Sequence, residues 1–229
     1  MTIRHLLLVS TILILVTCLF SCKDDDDTDL PNLPNTSLSA NEITISDIAG
    51  IPANITFNKI KVEISGVDWE TIGIIEAPFQ NGEATLTLPT SFSAEKLMKV
   101  VRADRFDYTG FWYASTDNSN AKVAGLRDIC AYNNDEKVGL LDLTDWPGEG
   151  SAEFKSHIYY HYTDQPYTLT APDGDNNNKG YKYNASFVAG WNAYAIINQS
   201  DRDIETDKPT CSAPVSEEVS LTWRFIPLQ

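Results

Sequence analysis

Positive charge is scarce in this chain of 229 residues: 17 Lys and Arg stand against 32 Asp and Glu, a formal net charge of −15. Nucleic acids and anionic lipid headgroups are bound through positive surfaces, so neither is an expected partner. Catalytic signatures are missing as well. The chain contains no GxSxG, no HExxH, no P-loop and no GxGxxG, and so shows no hydrolase elbow, zinc-protease helix, phosphate cradle or dinucleotide turn. It has no CxxC, which leaves a zinc ribbon or a thioredoxin-type redox role without support. Histidine occurs three times, at His5, His157 and His161. No cofactor and no metal is expected, and the reading is of a protein that is not an enzyme.

One long apolar run is present, at the start. Leu6 to Phe20 follows Arg4 and His5 and is almost wholly apolar. A membrane-spanning helix needs roughly 20 apolar residues, so this shorter run behind a basic head reads as a secretory signal. Leu19-Phe20-Ser21-Cys22 closes it and resembles the lipobox of bacterial lipoproteins. In that family the signal is cut before the cysteine, which becomes the lipidated first residue. The resemblance therefore implies a signal peptide over 1–21, a lipid on Cys22 and attachment to a membrane. Lys23-Asp24-Asp25-Asp26-Asp27 follows directly. Acidic residues next to a lipidated cysteine look like the signal that sends lipoproteins of Bacteroidetes bacteria to the outer face of the outer membrane. Read as charge alone, the same run is a solvated, flexible tether. With Pro31 and Pro34 beyond it, the tether is expected to span 22–36.

What is left, 37–229, is long enough for one large all-β domain or two small ones, with a possible split near 146–150. Arg4 is the only basic and no acidic residue lies in Met1 to Ser21, so processing takes the net charge from −15 to −16. A hydrophobic content of 42% belongs to a folded body. Of four cysteines, Cys18 leaves with the signal and Cys22 carries the lipid, which leaves Cys130 and Cys211. In an exported protein these are either a disulfide or two unpaired thiols. A bridge between them would stabilise by about 4 kcal/mol on the chain-entropy account.

Strand patterns dominate the body. Ile43-Thr44-Ile45 and Ile55-Thr56-Phe57 are short β-branched pieces, and Ile60, Val62 and Ile64 alternate with Lys59, Lys61 and Glu63. Ile72 to Ile75 and Ala84 to Leu88 flank Asn81-Gly82, which predicts a hairpin between them. Ser93 to Met98 predicts one short helix, with Ser93 as its N-cap. Val123 to Tyr132 and Val138 to Leu143 read as strands about an Asn133-Asn134-Asp135 turn. Phe154, Ser156, Ile158, Tyr160 and Tyr162 alternate with Lys155, His157, Tyr159 and His161. Further strands are read at Tyr167 to Thr170, Tyr181 to Phe187, Trp191 to Ile197 and Val219 to Phe225, with a long polar loop over 199–216. Trp191 and Trp223, in clean alternation, are expected in the core. The fold class is all-β: an antiparallel β-sandwich, immunoglobulin- or transthyretin-like, with one short helix.

The Tyr-rich strand at 157–162, the Gly190-Trp191-Asn192 turn, the strand closing on Trp223 and the Leu86-Thr87-Leu88-Pro89 strand end resemble a group of uncharacterised Bacteroidetes surface lipoproteins with a β-sandwich body. The likeness implies fold and location, not activity.

Candidate chemistry is concentrated in aromatics. Sugar rings stack their C–H faces on exposed Trp and Tyr, while Asp, Asn and Arg bond the hydroxyls. Phe106 to Tyr113 with Arg105 and Asp107 is one such platform, with Trp112 and Tyr113 in it, and Trp112 or the separate loop residue Trp146 is the best single ligand-binding aromatic. Tyr159 and Tyr194, off the core face of their strands, are another. The alternative for each is core filling. His157 and His161, roughly 13 Å apart along a strand, cannot share a metal and are expected to be solvated. Asp173 to Gly180 is oxygen-rich, but Asn178 and Asn184 stand where an EF-hand needs Gly and Glu, so it reads as a polar hairpin loop. Asp142, Asp145, Glu149 and Glu153 crowd near Trp146, and a glycosidase needs only two carboxylates about 5 to 9 Å apart.

Three functions follow in order of support. The first is a surface-anchored, non-catalytic lipoprotein that binds a glycan or a host glycoprotein. The second is a structural adhesin or pilus-like subunit that assembles with other proteins by strand addition, through an exposed apolar edge at Val219 to Phe225. The third is a glycoside hydrolase using the carboxylates around Trp146.

Overall fold

The structure, a computed structural model, describes residues 36–100, 115–145, 156–170, 182–197, 210–215 and 220–228. The chain divides into two compact units: Met1–Asn32, outside the described residues, and Leu33–Gln229, the body. Sixteen strands occur among the described residues: β1 (Leu38–Ser39), β2 (Glu42–Ser46), β3 (Lys59–Ser65), β4 (Thr71–Pro78), β5 (Glu83–Thr87), β6 (Met98–Lys99), β7 (Ser115–Thr116), β8 (Lys122–Leu126), β9 (Ile129–Asn133), β10 (Glu136–Thr144), β11 (Ser156–Thr163), β12 (Tyr167–Thr170), β13 (Lys182–Phe187), β14 (Gly190–Ile197), β15 (Thr210–Ala213) and β16 (Thr222–Pro227). Among the described residues the sole helical element is a single 3₁₀ turn, Val67–Trp69. The fold is all-β and sandwich-like.

Its two layers are unequal. A three-stranded sheet, β1-β2-β5, lies over a thirteen-stranded sheet whose main path runs β16-β10-β9-β3-β8-β11-β14-β15-β13-β12-β7. β4 pairs with β3 and β6 with β8 off this path. Pairing is antiparallel except for β13 with β15. Alternation decides the facing sides: Ile60, Val62 and Ile64 of β3 are fully buried, as are Ile43 and Ile45 of β2 and Leu86 of β5. Each such side chain contributes roughly 1.5–3 kcal/mol through burial. Leu141, Leu143, Ile158, Tyr160, Trp191, Trp223 and Phe225 complete this first core, so the expectation for both tryptophans holds. Polar tips in the core find acceptors. Trp191 Nε1 donates to the Pro89 carbonyl at 2.7 Å, Trp223 Nε1 lies 3.2 Å from both Ser37 Oγ and the Thr44 carbonyl, and the Tyr160 hydroxyl donates to the Thr36 carbonyl at 2.6 Å. Thr36, the last residue of the expected tether, is therefore fixed to the body.

A second core forms where β12 to β15 cover part of the other face: Val123, Tyr167, Leu169, Ala185, Phe187, Tyr194, Cys211 and Ala213 meet there. Both cores and the sheet draw on residues before and after 146–150, Thr144 pairs with His157 across that stretch, and Leu33–Gln229 is one compact unit.

Several expectations are corrected. Ser93 to Met98 is a set of turns leading into β6, not a helix; a segment this short gives too little return on helix nucleation. Ile55 to Phe57 is loop, its Ile and Phe packing on the first core without a strand partner. Asn81 and Gly82 do form a tight turn, both with positive φ (54° and 84°). The turn joins two sheets, however: only Gln80 and Glu83 bridge, while β4 pairs with β3 and β5 with β2. Within the stretch read as polar loop over 199–216, residues 210–213 are a strand. Thr-Cys-Ser-Ala has no hydrophobic alternation to announce it, because a parallel strand covered on both faces needs none. The last strand does end the large sheet, beside β10, but its apolar side chains are not exposed. Trp223 and Phe225 are 4% and 5% exposed, and Ala49 exchanges backbone hydrogen bonds with both. The bridge between Cys130 and Cys211 is not formed; both are buried free thiols.

Candidate functional site

The large sheet forks. β8 and β9 run along the same edge of β3, with Ile64 opposite Leu126 and Lys61 opposite Cys130. The register slips by one residue across Arg127 and Asp128, so the two strands are one strand interrupted by a bulge. β10 follows the β9 half as far as Leu141 opposite Ile129, then leaves to complete its pairing with β16. β11 takes its place along β8, with His161 opposite Gly125. The two branches meet again at Thr144 opposite His157. Between them a cleft of about 840 Å³ opens, lined from all three strands and by Trp69, Tyr194 and Ile196. Its closed end is fastened by Asp145, whose carboxylate accepts from the Ser156 N–H at 2.6 Å, and by Thr144 Oγ1, which donates to the Ser156 carbonyl at 2.6 Å.

The cleft face of β11 changes character along its length. At one end His161 is 4% exposed, set among Phe187, Tyr194 and Tyr167 with ring centroids 4.4, 5.1 and 6.0 Å away, and it shares a 3.0 Å hydrogen bond through Nε2 with the Tyr167 hydroxyl. Burial pushes its pKa down to about 3, so it is neutral. Two residues on, Tyr159 is 45% exposed and stacks on the buried Tyr194 at 5.5 Å and 25°. At the far end His157 Nδ1 is hydrogen-bonded to Asp142 Oδ2, joining β11 to β10 across the cleft wall. The expectation that His157 and His161 are solvated is therefore corrected. The face they share is covered, at His161 by the second core and at His157 by the facing branch.

This arrangement can hold a ring against Tyr159 while a carboxylate–imidazole pair meets its polar edge. A second depression, about 540 Å³ over Asn58, Lys59, Glu76, Asn134 and Asp135, is less suited. Its polar groups are already tied to one another: Lys59 to Glu76 at 3.6 Å and to Asp135 at 3.5 Å, and Asn58 to Asn134 at 3.0 Å.

Of the residues singled out from sequence, Tyr159, Tyr194, Asp142 and His157 come together in the cleft. Asp145 lies at its closed end in a structural role. Cys22, Arg105, Asp107, Trp112, Tyr113, Trp146, Glu149, Glu153 and the Asp173 to Gly180 loop lie outside the described residues. Cys130 and Cys211 play no part in the cleft, and burial raises both thiols, Cys211 to about 12. Trp69 and Arg127 are additions that the sequence reading passed over. A Trp following Gly66 and Asp68 at a turn was the available signal for the first; nothing announced the bulge that carries the second. Among the described residues no group of three or more His, Cys, Asp or Glu could hold a metal, and no helix is long and apolar enough to cross a membrane. Comparison with protein-family models, with curated proteins and with solved structures gives no match to this chain.

Proposed function

We propose that this chain is a lipoprotein anchored through Cys22 to the outer face of a bacterial outer membrane, and that its body binds a glycan, without catalysis, in the fork of the large sheet. The observation that carries the reading is Tyr159. It is a half-exposed ring on a regular strand, backed by the buried Tyr194 and set beside the Asp142–His157 pair within one cleft. An aromatic ring with this support is rigid and loses little entropy on contact, and a sugar offers it an apolar C–H face. Asp142 and His157, at 23% and 15% side-chain exposure, remain within reach of hydroxyls. Their mutual hydrogen bond orients them for recognition, which favours binding over a two-carboxylate hydrolysis. The scarcity of positive charge and the acidic tether support the surface location.

The test uses the whole chain with Cys22→Ser, which removes the lipid. Titration against soluble polysaccharide fragments and mucin-type glycans should give saturable binding that falls about tenfold or more in Tyr159→Ala, the loss of one stacked aromatic contact. The melting temperature should hold, because nearly half of that side chain is in solvent. Binding unaffected by Tyr159→Ala, or no saturable binding across the panel, would overturn the proposal.

A further inference from the structure

The turn between β3 and β4 spends conformational energy to present an aromatic. Asp68 and Trp69 both have positive φ, 53° and 63°, a region that costs a non-glycine residue roughly 1–2 kcal/mol. Trp69 is 44% exposed and belongs to neither hydrophobic core. The turn is also stiff. Gly66 N–H bonds the Glu70 carbonyl at 2.9 Å, Val67 N–H the Lys96 carbonyl at 2.9 Å, and Glu70 N–H the Val67 carbonyl at 3.0 Å. A Cβ at Gly66 would lie 2.2 Å from the Lys96 carbonyl oxygen, so the close approach requires glycine.

The strained residue is held by the bulge of the fork. The Arg127 guanidinium donates to the Trp69 carbonyl and, at 3.0 Å, to the Glu63 carboxylate, which also accepts from Thr71 Oγ1 at 2.8 Å. Arg127 thus ties the bulge to β3 and to the turn itself. The pairing of β8 with β11 stops at Gly125 opposite His161, so Arg127 and Tyr159 both lie just beyond the last pair, on the two branches of the fork. Trp69 and Tyr159 both line the cleft.

We infer that Trp69 and Tyr159 form an aromatic clamp that takes a pyranose ring between them, with Arg127 as the residue that positions Trp69. The inference rests on the glycan-binding reading of the cleft and names the sugar class. A clamp uses both faces of a ring. In the all-equatorial gluco configuration both faces carry only axial C–H bonds, whereas an axial hydroxyl, as in galactose at C4, makes one face polar. The ligand is therefore a β-linked glucan in preference to a galactan.

The experiment compares a β-1,4-gluco-hexasaccharide and a β-1,4-galacto-hexasaccharide on the whole chain carrying Cys22→Ser, by calorimetric titration. Trp69→Gly is the informative variant, because glycine adopts a φ of 63° without strain and should fold at least as stably as the parent. It should bind the gluco-oligomer about tenfold more weakly and lose the preference over the galacto-oligomer. Arg127→Ala should weaken gluco binding in the same direction, and adding it to Trp69→Gly should cause no further loss, since both act through one ring. Undiminished gluco binding by Trp69→Gly, alongside a loss in Tyr159→Ala, would overturn the clamp and leave the glycan site standing. Equal losses for both sugars would overturn the two-face selectivity. Additive losses would remove Arg127 from the mechanism, and absence of binding to either sugar by the parent would sink the clamp.

Discussion

Single side chains carry two kinds of information here. His161 is buried without charge, and that has a pH signature. Folded, it stays neutral down to about pH 3; unfolded, it takes a proton near 6.5. Between those values the unfolded state binds more protons, so stability rises with pH across the window and is lost as pH falls below 6.5, at about 1.4 kcal/mol per unit. Denaturant midpoints should show the protein about 2 kcal/mol less stable at pH 5 than at pH 7.5, and His161→Gln should flatten that slope. An unchanged slope in the variant would mean that other groups carry the dependence. Asn192 is the second case. Its side chain accepts from the Val188 N–H at 3.0 Å and donates to the Val188 and Gly190 carbonyls at 2.8 and 2.9 Å, closing the β13–β14 turn around a Gly190 with φ of 102°. Asn192→Ala should cost about 1 kcal/mol in equilibrium unfolding, because it removes the hydrogen bonds that hold the turn.

Elements behave less locally. β10 carries the fork, since it pairs with β9, then β16, and touches β11 only at its end. Its Gly139 lies where the β9–β10 register shifts, and a Cβ there would sit 2.3 Å from Phe225 Cζ and 2.9 Å from the Ile226 carbonyl. Gly139→Ala should therefore destabilise by about 1–3 kcal/mol through overpacking, with an unchanged m-value; a neutral result would show that β16 can slide outward freely. The same strands show how far sequence carries. Alternation placed β3, β10, β11, β14 and β16 and the faces they turn to the first core, because a period of two survives whatever the strand pairs with; it missed that the second core covers the other face of β11 and β14, burying His161 and Tyr194. It could not choose partners. Asn81-Gly82 specified a turn correctly, but whether that turn closes a hairpin or links two sheets depends on distant strands β2 and β3. Val123 to Tyr132 read as one strand, and it is one, except for the bulge at Arg127 that opens the cleft. A single inserted residue has no periodic signature, so the site was legible as ingredients, Tyr159, Tyr194, His157 and Asp142, and not as a place.

At the scale of the whole molecule, one pair of neighbours separates the core side of the large sheet from its cleft side. The Tyr160 side chain enters the first core, and its hydroxyl holds the Thr36 carbonyl. Tyr159, the next residue along the strand, points to the other face and into the cleft. Under the proposed function Tyr159 has to stay open to soluble ligands when the chain is held at a cell surface. The buried thiols make this measurable. Cys130 and Cys211 are both buried with raised pKa, which leaves little thiolate to react, so a thiol introduced by Tyr159→Cys should dominate labelling by a membrane-impermeant maleimide. Intact cells displaying the lipidated protein should label at that position as fast as the Cys22→Ser chain does in solution. Labelling in solution but protection on cells would place the cleft against the membrane or a neighbouring surface, and the ligand would then have to be sought there instead of among soluble glycans.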